Sequence, residues 1–329
     1  MNGMPALRFE RGRVRLDSVP IPKPAPGEAL LEVVLAGVCA TDLEITKGYM
    51  DFSGTLGHEF IGRVVSVARR RGAAGADRAS PGDRVAGEIN LPCRACPVCR
   101  SGLGNHCPTR AVLGILEKDG VFAQYATLPL ENLHPVPGTI PDEKAVFIEP
   151  LAAALEVLEQ VDVRKSDRLL VIGDGRLGLL VAMVLARASG RVTLVGRHPE
   201  KMARVEGLGV RTVPVRRAGT LRRAFDVVVE ASGGPEGWDT ALAKLRPRGT
   251  LVLKTTVHGG RPWNPAPIVI DEITVVGSRC GPFPKAIEWL EKGWVDPTPL
   301  VAARFGLREG LRALEEARTP GVLKVLIQP

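Results

Sequence analysis

A thiol at Cys39, an imidazole at His58 and carboxylates at Asp42, Glu44, Asp51 and Glu59 are packed into one short stretch of the chain. Cys39 ends an alternating apolar run, GEALLEVVLAGVC, which places it where a strand finishes and side chains can turn toward a cleft. His58 and Glu59 follow a glycine and open a second apolar, valine-rich run, GHEFIGRVVSV. A soft thiolate, a borderline imidazole and a carboxylate form the donor set of a catalytic zinc, which keeps a fourth position open for water or substrate. Asp42 is then placed to hold the far ring nitrogen of His58 and fix its tautomer. Taken singly, Cys39 would be a small buried hydrophobe and His58 a core histidine, so the combination carries the reading.

A second cluster reads CRACPVCRSGLGNHC, with Cys93, Cys96, Cys99 and Cys107 separated by two, two and seven residues. Tight turns let several sulfurs converge on one tetrahedral ion. Disulfides between such close neighbours are strained, so a metal is preferred, and an iron–sulfur cluster stays as the competing reading. A closed four-thiolate zinc site would make a loop rigid and have no chemistry of its own.

The third constellation is RLLVIGDGRLG, followed by the apolar run LLVAMVLARA and a further strand, RVTLV. Gly173, Gly175 and Gly178 stand between strand and helix within a βαβ unit, the context that makes a G-x-G-x-x-G pattern credible as a dinucleotide site. Arg176 and Leu177 lie in the same loop, and the helix N-terminus can hold a pyrophosphate. An acid at the end of the second strand would grip the ribose 2′-hydroxyl, but this chain has Gly196-Arg197-His198, with Lys201 close by. Arg197 can make charge-assisted bonds to a 2′-phosphate, so NADP(H) is expected over NAD(H).

These side chains need elements to position them. Up to about residue 66, short strands separated by Pro and Gly give a β-rich module; VFAQYATLPLENLHPVPGTI resumes that style after the cysteine cluster. The later runs TVPV, FDVVVEAS, GTLVLKTT and ITVVGS complete a doubly wound parallel sheet of six strands, so the fold class is α/β. The length of 329 residues accommodates two cores, and 45% hydrophobic with 24% charged content is that of a soluble globular protein. Apolar runs too short for a bilayer and an N-terminus without an apolar signal region lead us to expect a cytoplasmic protein with no membrane partner. The net charge of +8 is scattered and aromatics make up 4%, so no nucleic-acid partner is expected; the one dense run, Arg69-Arg70-Arg71, reads as a solvated excursion between strands.

C-x-T-D followed by G-H-E, with the cysteine quartet and the glycine loop, resembles the zinc-dependent medium-chain dehydrogenase/reductase family over essentially the whole chain. The likeness is closest to its polyol, glucose and threonine dehydrogenase branches. It implies a GroES-like catalytic domain over 1–150 and 285–329, with a zinc lobe over 91–110, and a Rossmann domain over 151–284. Two Zn²⁺ per chain are implied, one structural at the four cysteines and one catalytic at Cys39 and His58. Glu149, in the E-P-L motif, is implied as third ligand, with Glu59 as the other carboxylate in reach. Thr41 is implied as the proton-relaying hydroxyl, and Lys324 as a basic residue near the cofactor pyrophosphate. Where many relatives end the relay in a histidine this chain has Glu44, and Ala40 stands where some carry an arginine. The activity implied is hydride transfer between an alcohol or carbonyl small molecule and NADP(H) or NAD(H), in a homodimer or homotetramer paired through ITVVGSRCG. A non-catalytic nucleotide-binding protein and a zinc-independent quinone or enone reductase of the same fold are the alternatives.

Overall fold

The computed structural model describes residues 3–69, 78–234, 236–256 and 264–329. Arg70 and Arg71 of the basic run lie outside them. The chain divides into two compact units, Met1–Glu149 with Ile287–Pro329, and Pro150–Ala286.

The first unit is built on one large sheet in the order Leu133–Pro135, Arg84–Gly87, Glu59–Val67, Glu28–Gly37, Lys324–Gln328 and Val301–Gly306, with Tyr125–Pro129 also paired to Glu28–Gly37. The central strand follows the period of two seen in its sequence. Ala29, Leu31, Val33 and Leu35 are all buried, at 4% exposure or less, while Glu32 faces water. Each such aliphatic side chain contributes roughly 1.5–3 kcal/mol by leaving water.

Register decides what meets at one end of this sheet. Gly37 lies opposite Glu59 on one side and opposite Leu326 on the other. Three distant segments, ending in Cys39, beginning at His58-Glu59 and containing Lys324, are thereby drawn together. Gly37 is a glycine because of that approach: a Cβ there would stand 2.7 Å from Glu59 Oε2 and 3.3 Å from Lys324 Cδ.

The second unit holds six parallel strands in the order Arg211–Pro214, Val192–Gly196, Leu169–Ile172, Phe225–Glu230, Leu245–Leu253 and Thr274–Gly277. In chain order this is 3-2-1-4-5-6, the doubly wound arrangement in which ligands sit beyond the carboxyl ends of the strands where the order reverses. Leu169–Ile172 is buried throughout, as a central parallel strand requires. It runs directly into the glycine loop and the helix Arg176–Ala188.

Candidate active site and dinucleotide loop

Cys39 is the N-cap of the short helix Ala40–Ile45. Asp42, fully buried, closes that turn by accepting the Cys39 backbone N–H on Oδ2 at 2.7 Å. Its other oxygen, Oδ1, stands 3.2 Å from His58 Nδ1. That contact is too poorly aligned to count as a hydrogen bond, and neither atom has a hydrogen-bond partner among the described residues, so the attraction is chiefly Coulombic. Asp42 thus fixes the thiol's turn and faces the imidazole's Nδ1.

Ligand atoms of Cys39, His58 and Glu59 all lie within 4.8 Å of one another. A thiol, an imidazole and a carboxylate converging at a mostly buried position fit a borderline dication such as zinc. Glu149, half-buried, is not in that converging set. Thr41 Oγ1 accepts from the Cys39 thiol at 3.7 Å, which keeps the hydroxyl beside the group. Glu44 lies on the outer side of the same helix, where Lys47 donates to it at 2.7 Å.

Burial disfavours the charged form of His58, but Asp42 and Cys39 outweigh it and hold its pKa well above the usual 6.5. In the metal-free chain this raised pKa favours folding fully below 6.5, and that contribution is lost as pH rises through the folded-state value. Zinc requires both the neutral ring and the Cys39 thiolate, so its dependence runs the other way. Affinity at this site is expected to rise at least about tenfold per pH unit while His58 still carries its proton. Zinc titration of the metal-free protein between about pH 6 and 8 checks the slope, and a flat profile would contradict it.

Expected near a cofactor pyrophosphate, Lys324 has other partners here. It is 1% exposed, its ammonium donates to Glu59 Oε2 and to the Val38 carbonyl at 3.3 Å, and it sits 5.6 Å from the centre of the Phe147 ring. A charge so buried has to be paired, and register places Glu59 as the partner. Sequence reasoning missed this ion pair; the only available signal was a lysine inside an otherwise apolar strand, VLKVLI.

The four cysteines of the lobe come together with Cys107 buried and Cys93 exposed. Two sulfur pairs, Cys93–Cys99 and Cys96–Cys107, stand 3.9 Å apart. Thiolates bound tetrahedrally to zinc at the usual bond length are separated by about 3.8 Å, whereas a disulfide needs about 2.05 Å. Backbone N–H groups of Cys93, Cys96 and Cys99 each donate to a neighbouring sulfur at 3.4 Å. Backbone N–H groups of Ala95 and Cys96 bring Cys93 down to about 6, while burial and the neighbouring thiols push Cys99 up to about 12. Four close sulfurs do not ionise together on their own, and a dication bound among them would supply the missing charge.

In the second unit the glycine loop has the form its sequence predicts. Gly173 has φ +117°, and a Cβ there would fall 2.4 Å from the Ala231 carbonyl oxygen, while at Gly178 it would fall 2.0 Å from that of Gly173. Gly175 is exposed, with nothing within 4 Å of an added Cβ, leaving the helix N-terminus open to an approaching anion. Arg176 and Leu177 form the first helical turn and are half-buried. Arg197 is exposed, and Lys201 is half-buried on the helix Pro199–Glu206. A residue that sequence reasoning did not single out, Asp174, is 7% exposed between the first two glycines and bonds to the turn at Arg197 and His198.

Residues 25–138 match the alcohol dehydrogenase GroES-like domain and residues 177–292 the zinc-binding dehydrogenase domain. An erythritol/L-threitol dehydrogenase of Mycolicibacterium smegmatis is 31% identical over 92% of this chain and 90% of its own length. The chain belongs to the zinc-dependent medium-chain dehydrogenase/reductase family. A member from Sinorhizobium meliloti 1021, a zinc-binding dehydrogenase bound to NADP, superposes with a TM-score of 0.90 at 27% identity, covering 100% of both chains. An E. coli CFT073 protein described as a short chain alcohol dehydrogenase and complexed with NADH gives 0.89 at 26% identity, again over 100% of both chains. This family member is therefore an enzyme, an alcohol oxidoreductase that works with a nicotinamide cofactor. Among the described residues no helix is long and apolar enough to cross a membrane.

Proposed function

We propose that this enzyme interconverts a hydroxylated alcohol, of the polyol, sugar or amino-alcohol class, with its carbonyl form, using one zinc for chemistry and a second for structure. The observation that carries this is the convergence of Cys39, His58 and Glu59 within 4.8 Å, inside a unit that also holds the four-cysteine cluster. The polyol class is supported by the erythritol/L-threitol dehydrogenase relative and by the Glu149-Pro150 motif.

Cys39 and His58 would hold the catalytic zinc with one glutamate, either Glu59, the carboxylate now in reach, or Glu149, to which the sequence pattern gives the third position. Bound there, zinc would lower the pKa of an alcohol oxygen or polarise a carbonyl, and the nicotinamide would exchange the hydride. The chain's own residues handle orientation and the proton. Asp42 keeps the His58 ring in place, and Lys324 fixes one Glu59 oxygen. Thr41 is the hydroxyl placed to take the substrate proton, and Glu44 is the carboxylate further along the same helix that can receive it. Glu44→Gln removes that acceptor and is expected to lower kcat about threefold to tenfold. An unchanged kcat would remove Glu44 from the relay.

On the cofactor side, the loop from Gly173 through Arg176, Leu177 and Gly178 would carry the pyrophosphate. Arg197 and Lys201 favour NADP(H) by charge, and a nearby carboxylate, Asp174, opposes them. The strand Thr274–Gly277 forms the free edge of the six-stranded sheet among the described residues, with Val275 39% exposed, and Val269 and Ile270 on the neighbouring helix are 74% and 77% exposed. An uncovered edge of this kind supports pairing with a second copy, so a homodimer is the proposed assembly. Assay of NAD⁺ and NADP⁺ reduction over C4–C6 polyols, aldoses, threonine and simple alcohols tests the substrate class. Faster turnover of simple primary alcohols than of every polyol would overturn it.

A further inference from the structure

The end of the second strand of the dinucleotide-binding sheet looks, in sequence, as though it lacks an acid. The fold supplies one from another segment. Asp174 Oδ2 accepts the backbone N–H of Arg197 at 2.8 Å and of His198 at 2.6 Å, and lies 3.1 Å from His198 Nδ1. Position 196 is a glycine for the same reason. A Cβ there would fall 2.6 Å from Asp174 Cβ, 2.7 Å from Oδ2 and 2.8 Å from Cγ. The volume that a side chain at the strand end would occupy is thus held by the carboxyl group of residue 174, which the glycine loop carries across.

Three donors converge on Oδ2, while Oδ1 takes no hydrogen bond from any described residue. An unengaged, fixed carboxylate oxygen at this place is an acceptor for a ribose hydroxyl. The same arrangement is hostile to a 2′-phosphate. Both backbone N–H groups that could have donated to it are already engaged, and the carboxylate, 7% exposed, is poorly screened. Arg197, the countervailing charge, is 67% exposed and lies 3.8 Å from Glu236, so water and that carboxylate both weaken its pull on a phosphate.

We propose that Asp174 is the residue that reads the adenosine ribose, accepting the 2′-hydroxyl of NAD(H) and ranking NAD(H) above NADP(H) in this enzyme. This rests on the dehydrogenase reading and reverses the cofactor preference expected from Arg197 alone. Asp174 does from the loop what an acid at position 196 would do from the strand, and the glycine at 196 is the complementary change that makes room.

The test is direct binding, which needs neither an alcohol nor a metal: calorimetric titration of NADH and NADPH into the unmodified protein and into Asp174→Ser and Asp174→Asn. NADH is expected to bind at least about tenfold more tightly than NADPH in the unmodified protein. Asp174→Ser is expected to shift that ratio at least about tenfold toward NADPH. Asp174→Asn keeps an oxygen for the two N–H groups and removes the charge, so it should retain the thermal stability of the parent and still lose discrimination. Tighter NADPH binding by the unmodified protein, or a ratio unmoved in the folded Asn variant, would overturn the proposal and leave the dehydrogenase reading standing. Failure of both dinucleotides to bind the unmodified protein would overturn both.

Discussion

Lys324→Met is expected to destabilise the metal-free catalytic unit by about 3–5 kcal/mol, measured by urea unfolding. Lys324 and Glu59 are each 1% exposed, so removing the ammonium leaves a carboxylate buried with no counter-charge while methionine fills most of the vacated volume. Adding Glu59→Gln to that background should restore much of the loss, because a neutral amide is far cheaper to bury than a lone anion. A loss below about 1 kcal/mol, or a double variant no better than the single one, would show that the pair is not the anchor described. The same cycle has a functional face. If Lys324 fixes the Glu59 carboxylate beside Cys39 and His58, Lys324→Met should also weaken zinc retention at that site and leave the four-cysteine lobe loaded.

Cys39→Ser is expected to lower kcat/KM by about three orders of magnitude or more while leaving dinucleotide binding intact. Serine keeps the helix cap and the approximate shape but replaces a soft thiolate with a hydroxyl that zinc does not hold at neutral pH. Metal analysis should show the catalytic zinc gone and the structural one retained, since the two cysteine sets are separate. Run in parallel, Glu59→Gln and Glu149→Gln distinguish the carboxylates. Whichever variant loses zinc together with activity identifies the third ligand, and activity above about a tenth of the parent in Cys39→Ser would contradict a metal held at this cysteine.

The candidate ligand sets were legible because each is local in sequence or tied to a recognisable turn. Four thiols over residues 93–107 constrain one another whatever the rest of the chain does. Cys39 and His58 could be read because a glycine-flanked strand end announces each. The parallel sheet was legible in the same way, from apolar runs long enough to be buried on both faces and separated by helix-length segments. Lys324 and Glu59 are another matter: they are 265 residues apart, and only the register of Gly37 against both neighbouring strands brings them together. Periodicity along one strand carries no information on what faces it from another. Asp174 was hidden for a related reason. It stands at a position of the glycine motif where any residue is allowed, and its meaning depends on the empty space above Gly196, in a strand that begins beyond the intervening helix.

The central claim is that a zinc held at Cys39 and His58 is required for nicotinamide-linked alcohol oxidation. The most direct measurement follows NADH and NADPH formation from a polyol that the enzyme turns over, before and after chelation sufficient to remove the catalytic zinc, and again after zinc is restored. Activity should vanish with that metal and return with it, in step with the zinc content of the Cys39 site. Turnover that survives complete loss of the catalytic zinc would contradict the account and mark the enzyme as a zinc-independent reductase on the same fold.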